Sequence, residues 1–253
     1  LSEFSMGLQE FAAETALLHF IRIDDERIKE LVNKLIGLSH NVKARLFYYA
    51  NLCVQMESFF SSQKSNFVSH LSKVAKKMDE SSMNDYEKMF SQSQYVEQQW
   101  LFYERLEVQE SAIAVGIFLK SYTLLERVLN QICEIYKQLK NSNISYKDLE
   151  GGGIVRASKY IKQTVNINNE SKNEWKLLRC WNTVRNQVMH EDALLSSDPK
   201  LIRAMRELGL KSIKDTTVSE SEIINIKIDH VKSFLVLIDK NLSYFVLNEK
   251  EWK

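Results

Sequence analysis

Proline occurs once in the 253 residues and glycine only seven times. Proline lacks a backbone N–H and clashes with the preceding helical turn, and glycine loses the most freedom on ordering, so the commonest helix breakers are scarce. Long helices follow, and a turn-rich fold is excluded. Cysteine occurs three times, as Cys53, Cys133 and Cys180, with no Cys-x-x-Cys pair among them. That excludes a disulfide framework and a cysteine zinc site, and it suits a reducing cytoplasm. No run is long and apolar enough to span a bilayer, and no signal peptide is evident, so a cytoplasmic chain with no membrane partner is expected. Charge of one sign is missing too. A formal net charge of +1 is not the profile of a dedicated nucleic-acid binder, which leans on phosphate neutralisation.

Hydrophobic residues make up 44% of the chain, ample for a buried core, and they recur at helical spacing. The pattern predicts helices over residues 8–23, from Glu26 to about Met78, and from Asn84 to Gln109. Leu31, Leu35, Leu38 and Val42 mark one stripe, and a turn is expected around Ser81 and Ser82. Ala112 to Lys140 reads as a long helix with Phe118, Leu125, Val128, Ile132, Ile135 and Leu139 inward. With no Pro/Gly linker before it, the preceding helix can run straight into it. Gly151–Gly153 break the chain ahead of a short helix from Ile154 to Gln163. They lack the Lys-Ser/Thr of a phosphate loop. An Asn-rich turn over 166–171 leads to a helical stretch from Trp175. Asp198-Pro199 then starts a short helix that Gly209 ends. Residues 212–218 and 222–226 suggest a small hairpin. A last helix, Asp229 to Leu247, turns Val231, Phe234, Leu235, Ile238, Leu242 and Phe245 inward. The fold class is all-α, an antiparallel bundle with a helical extension over 1–110, suited to partner or RNA recognition or to dimerisation, and a principal domain over 111–253.

The chemistry concentrates in Arg185-Asn186-Gln187-Val188-Met189-His190. Leu177, Trp181, Val184 and Val188 form the expected core stripe of this helix. Arg179, Asn182, Asn186 and His190 form a second, mixed stripe with Trp175 and Met189 at its edges. Lys and Glu are the usual residues of a solvated face, so this mixture predicts a surface that meets another protein. Histidine takes or gives a proton near neutral pH, which suits attack by an RNA 2′-hydroxyl and departure of a 5′-oxygen. Arginine offers a planar, permanent charge matched to the phosphate oxygens. Asn186, one turn before His190, can orient the ring or bond the phosphate. Spacing alone also fits an ordinary solvated helix end.

The string and its setting resemble the HEPN superfamily, whose signature is Arg, a polar residue, a short gap and His near the end of the third main helix of a small bundle. Arg185, Asn186 and His190 fill those positions, and Leu124–Leu129 is similar to the first long helix of such domains. The resemblance covers about the last 140 residues. It implies a metal-independent endoribonuclease with no cofactor, whose Arg and His face those of a second domain. With a single motif, the second half must come from a homodimer, placed on the face bearing Trp175, Asn182, Asn186 and Met189. It further implies RNA products ending in 2′,3′-cyclic phosphate or 3′-phosphate. Toxin or antiphage-defence action, restrained by an inhibitory antitoxin or a defence-system partner, is also implied. A catalytically inactive HEPN-like interaction module is the alternative. A purely structural helical protein is the third reading.

Elsewhere the signals are weaker. Phe47-Tyr48-Tyr49 and Phe59-Phe60 read as core or partner-facing packing, and His19, His40 and His70 lack metal-ligand spacing. Lys73, Lys76 and Lys77 form a small basic face. Lys200, Arg203, Arg206, Lys211 and Lys214, or Arg156, Lys159 and Lys162, suit either a rim for an RNA backbone or plain solvation.

Overall fold

A computed structural model describes residues 25–79, 84–167, 172–191, 193–214 and 221–246. The helix expected over 8–23, the turn at Ser81 and Ser82, and Asp192 lie outside these residues. The described chain is all-α apart from one small hairpin. Its helices are α1 (Glu26–Asp79), α2 (Asp85–Leu139), α3 (Gly153–Val165), α4 (Asn173–His190), α5 (Pro199–Leu208) and α6 (Ile228–Val246). A 3-10 turn over Tyr146–Asp148 precedes α3.

Local chemistry explains where these helices begin and end. Asn84 caps α2 by accepting from the Glu87 N–H at 2.9 Å, while the Glu87 carboxylate accepts from the Asn84 N–H at 3.0 Å. With no proline in its 55 residues and a single glycine, Gly116, α2 runs through position 110 without interruption. Asp198 caps α5 with Pro199 in its first turn, and Gly209 closes it at φ +67°. Asn166 ends α3 in the same left-handed conformation, at φ +57°.

Helices α1 and α2 form a long antiparallel pair, tied at one end by Arg27 donating to the Gln138 carbonyl and to the Asn141 side chain. Helix α6 runs against α1, with Lys232 on Glu57 and Lys43 on Asp239. Every apolar residue expected inward on α6 is buried. One core joins these helices with α3, α4 and α5. At its centre the rings of Phe118 and Phe234 lie 5.0 Å apart and each lies within 4.9–6.1 Å of Tyr122 and Trp181, edge-on or tilted except for Tyr122 stacked on Phe234.

The hairpin pairs β1 (Lys211–Lys214) with β2 (Glu222–Asn225) antiparallel, Ile213 opposite Ile223. The other edge of β2 receives the chain leaving α4. Leu195 N–H donates to the Glu222 carbonyl at 2.8 Å, and Ile224 N–H donates to the Ala193 carbonyl at 2.9 Å. The hairpin thus fixes the exit of α4.

Candidate functional site

Helix α4 buries Trp175, Leu178, Trp181, Val184 and Val188. This departs from the sequence expectation at three places. Leu178 lies in the core while Leu177 is partly exposed against it. Trp175 is only 2% exposed and packs edge-on against Phe245, so it belongs to the core and not to a surface stripe. A large ring gains more from burial than the pattern of its polar neighbours suggests. Asn182 is drawn inward as well, because its side chain accepts a hydrogen bond of 2.6 Å from the buried Tyr122 hydroxyl. What is left facing outward near the end of α4 is Asn186, Met189 and His190, with Met189 51% exposed.

Arg185 leaves the helix on the side facing α2. Its guanidinium lies 5.6 Å from the centre of the Tyr122 ring and 3.8 Å from the Glu126 carboxylate, and it donates to the Asn186 side chain at 3.1 Å. The arginine is half-buried, held on one flank by a π-face and on the other by an anion. Tyr122 responds to this setting. Burial raises its pKa, the Glu126 charge adds to the rise, and Arg185 opposes it. Asn186 therefore links the arginine to the outward face, one turn before His190. The imidazole is exposed at the last residue of α4.

The sequence pattern does not single out Gln187, which reads there only as a polar filler in the string. Its side-chain amide donates at 2.6 Å both to the Glu191 carboxylate and to the Leu194 carbonyl. Together with the strand contacts of residues 193–195, this fastens the helix terminus that carries His190. The four-residue interval from Gln187 to Glu191 is the available signal, since residues so spaced share a helix face.

Cations continue beyond the string. Lys200, Arg203 and Arg206 are exposed on α5, whose Leu201, Ala204 and Met205 are buried. Cys180 lies among these groups. Its thiol pKa is raised by burial and by Glu207, against Arg203 and Arg179. Cys53 and Cys133 are buried, and burial pushes their thiols up to about 11 and about 12. None of the three is poised as a thiolate nucleophile. Among the described residues, no group of three His, Cys, Asp or Glu side chains is arranged to hold a metal ion. Nor is any helix there long and apolar enough to cross a membrane. Comparison of the chain with family models, curated proteins and solved structures gives no significant match.

Proposed function

We propose that the chain is a metal-independent endoribonuclease whose Arg185, Asn186 and His190 form half of an active centre completed by a second copy. The observation that supports this most is the hydrogen bond from Arg185 to Asn186, which connects a half-buried cation to an exposed face ending in His190. In the reaction, one His190 takes the proton from a ribose 2′-hydroxyl. The 2′-oxygen attacks the adjacent phosphorus in line, the bond to the 5′-oxygen breaks, and the partner's histidine protonates that leaving oxygen. The products are a 2′,3′-cyclic phosphate and a free 5′-hydroxyl. Arg185 balances charge on the non-bridging oxygens, and Asn186 holds the arginine or the phosphate in place. The exposed cations of α5 suit an RNA backbone approaching the same helix. An RNA-cleaving toxin or antiphage effector restrained by an inhibitory protein fits this chemistry.

One observation favours the alternative, a catalytically inactive interaction module. Glu126 already stands beside the Arg185 guanidinium at 3.8 Å and repels an incoming phosphate. Under the ribonuclease reading, Arg185 must exchange this contact for the substrate. The 3.8 Å separation is that of a loose pair, but both groups are about three quarters buried, so the phosphate must replace the charge that Glu126 gives up.

Cleavage of mixed RNA in excess EDTA separates the two readings. The wild-type chain should cut, and His190→Ala and Arg185→Ala should each lose at least about 100-fold in rate, the usual contribution of such groups. His190→Ala should keep its urea midpoint, because the imidazole is exposed, while Arg185→Ala should stay folded with a midpoint lowered by the loss of its contacts with Tyr122 and Glu126. Intact RNA with the wild type, or undiminished cleavage by both variants, leaves the interaction module standing.

A further inference from the structure

Beyond the core, α1 and α2 continue as a two-helix arm, residues 61–78 and 85–105. Leu71 is the only buried residue among the described residues of this arm. Phe67 stacks on Phe102 with ring centres 3.7 Å apart, and Tyr103 meets Phe67 edge-on at 6.0 Å. The same helix α2 carries a second apolar row. Tyr86, Met89, Val96 and Trp100, with the small Ser93 at the remaining place, alternate spacings of three and four residues, which is the seam of a coiled coil. Val96 and Trp100 each directly follow a half-buried residue, Tyr95 and Gln99, on the row that continues to Phe102, which stacks on α1. A step of about 100° per residue therefore turns the seam away from α1. Tyr86, Met89, Val96 and Trp100 are 74%, 64%, 61% and 65% exposed, and Phe90 beside them is 56% exposed.

We propose that this seam is an interface with a second copy of the chain, the two arms packing about a two-fold axis into a four-helix coiled coil. Size supports that occupant. The exposed rings together with Met89 and Val96 offer roughly 600–800 Å² per copy, close to the share each partner contributes to a stable interface of standard size. Charge supports it as well. Residues 61–78 contain Lys64, Lys73, Lys76 and Lys77 and no Asp or Glu, whereas 85–105 contain Asp85, Glu87, Glu97 and Glu104 against Lys88 and Arg105. A two-fold pairing that lays α1 of one arm beside the α2 seam of the other joins a basic helix to an acidic one, twice over. The surface is separate from Asn186 and His190, and it stands whether or not the chain cleaves RNA.

Light scattering on the full chain, from about 1 to about 100 µM, tests the pairing. The wild type should run at twice its 29.6 kDa chain mass. The double variant Val96→Glu/Trp100→Glu should weaken association at least about 100-fold, as truncation at the centre of an interface does, with its helical circular dichroism unchanged. Tyr86→Glu/Met89→Glu, nearer the arm tip, gives the same readout from a second pair of exposed positions. Met189→Glu, on the α4 face, should leave arm pairing intact. A wild type that stays a single chain throughout overturns the proposal, including the case in which another protein covers the seam. So does a dimer that survives both arm variants, or one that Met189→Glu alone abolishes.

Discussion

Gly153 opens α3 at φ +51°, a left-handed conformation that costs an L-residue about 1–2 kcal/mol. A β-carbon there would also lie 2.3 Å from the Glu126 carboxylate oxygen, the same carboxylate that faces Arg185. The clash is with the free end of a flexible side chain, so rotation of Glu126 relieves it, and the backbone term decides the cost. Gly153→Ala should therefore lower stability by about 1–2 kcal/mol in urea unfolding, while releasing Arg185 from its counter-ion. Gly152→Ala is the control: Gly152 lies at φ −126° with nothing near a β-carbon, so it should change stability by less than about 0.5 kcal/mol. A larger loss at Gly152 than at Gly153 would refute this assignment of strain. At this scale the sequence reveals residue types but not partners. Arg185, Asn186 and His190 stand out through the chemistry of their side chains and their helical setting, since the spacing alone is common, and the structure puts Asn186 and His190 outward. Glu126 and Gln187 do not stand out. Their importance lies in meeting Arg185 from another helix and in reaching a carbonyl past the end of α4, neither of which helical periodicity encodes.

Helix α6 starts under a titratable cap. His230, in its first turn, accepts the Lys227 N–H through Nδ1 at 3.0 Å, satisfying one of the orphan donors at the helix start. Burial lowers the His230 pKa below its ordinary 6.5, Lys227 lowers it further, and Asp229 acts in the opposite sense. A proton on Nδ1 removes the acceptor and adds positive charge to the positive end of the helix dipole. The sign follows directly. The unfolded chain binds this proton more readily than the folded one, so the contribution of His230 is complete above 6.5 and is lost as pH falls through the lowered folded value. Urea unfolding at pH 7.5 and 5.0 should show wild type losing more stability than His230→Gln, whose side-chain oxygen accepts the same hydrogen bond at both pH values. Equal losses in the two proteins would remove His230 from the account. Among the elements, those set by local chemistry are legible. Asp198-Pro199 to Gly209 and the apolar stripe of α6 appear where the pattern puts them, because caps and periodicity act within a few residues. On helix α4 the pattern points to Leu177, one position off, and turns Trp175 outward. Trp175 turns inward because it meets Phe245 across the bundle, and that is a tertiary choice.

For the whole molecule, stability is distributed unevenly along the two longest helices. Between Ala114 and Tyr136, α2 buries a residue on almost every turn, against α1, α3, α4 and α6 in a single core. From Asp85 to Arg105 it packs, among the described residues, along α1 and buries no side chain fully. Helical hydrogen bonds alone leave a segment marginal in water, since nearly all of its stability comes from burying an apolar face. In a single copy the arm should open locally without unfolding the core. Hydrogen exchange on the Val96→Glu/Trp100→Glu chain should show amides of 61–78 and 85–105 exchanging at least about 100-fold faster than those of 114–136, a local opening well below the global unfolding free energy. In the wild type at high concentration the arm amides should slow toward the core, because burial of the seam adds an interface that only the folded arm provides. Uniform protection along α2 in the single-copy variant would mean that the arm is stable by itself. Pairing through the exposed row of Tyr86, Met89, Val96 and Trp100 would then add to the stability of an arm already ordered, and the wild-type arm amides would slow little further at high concentration.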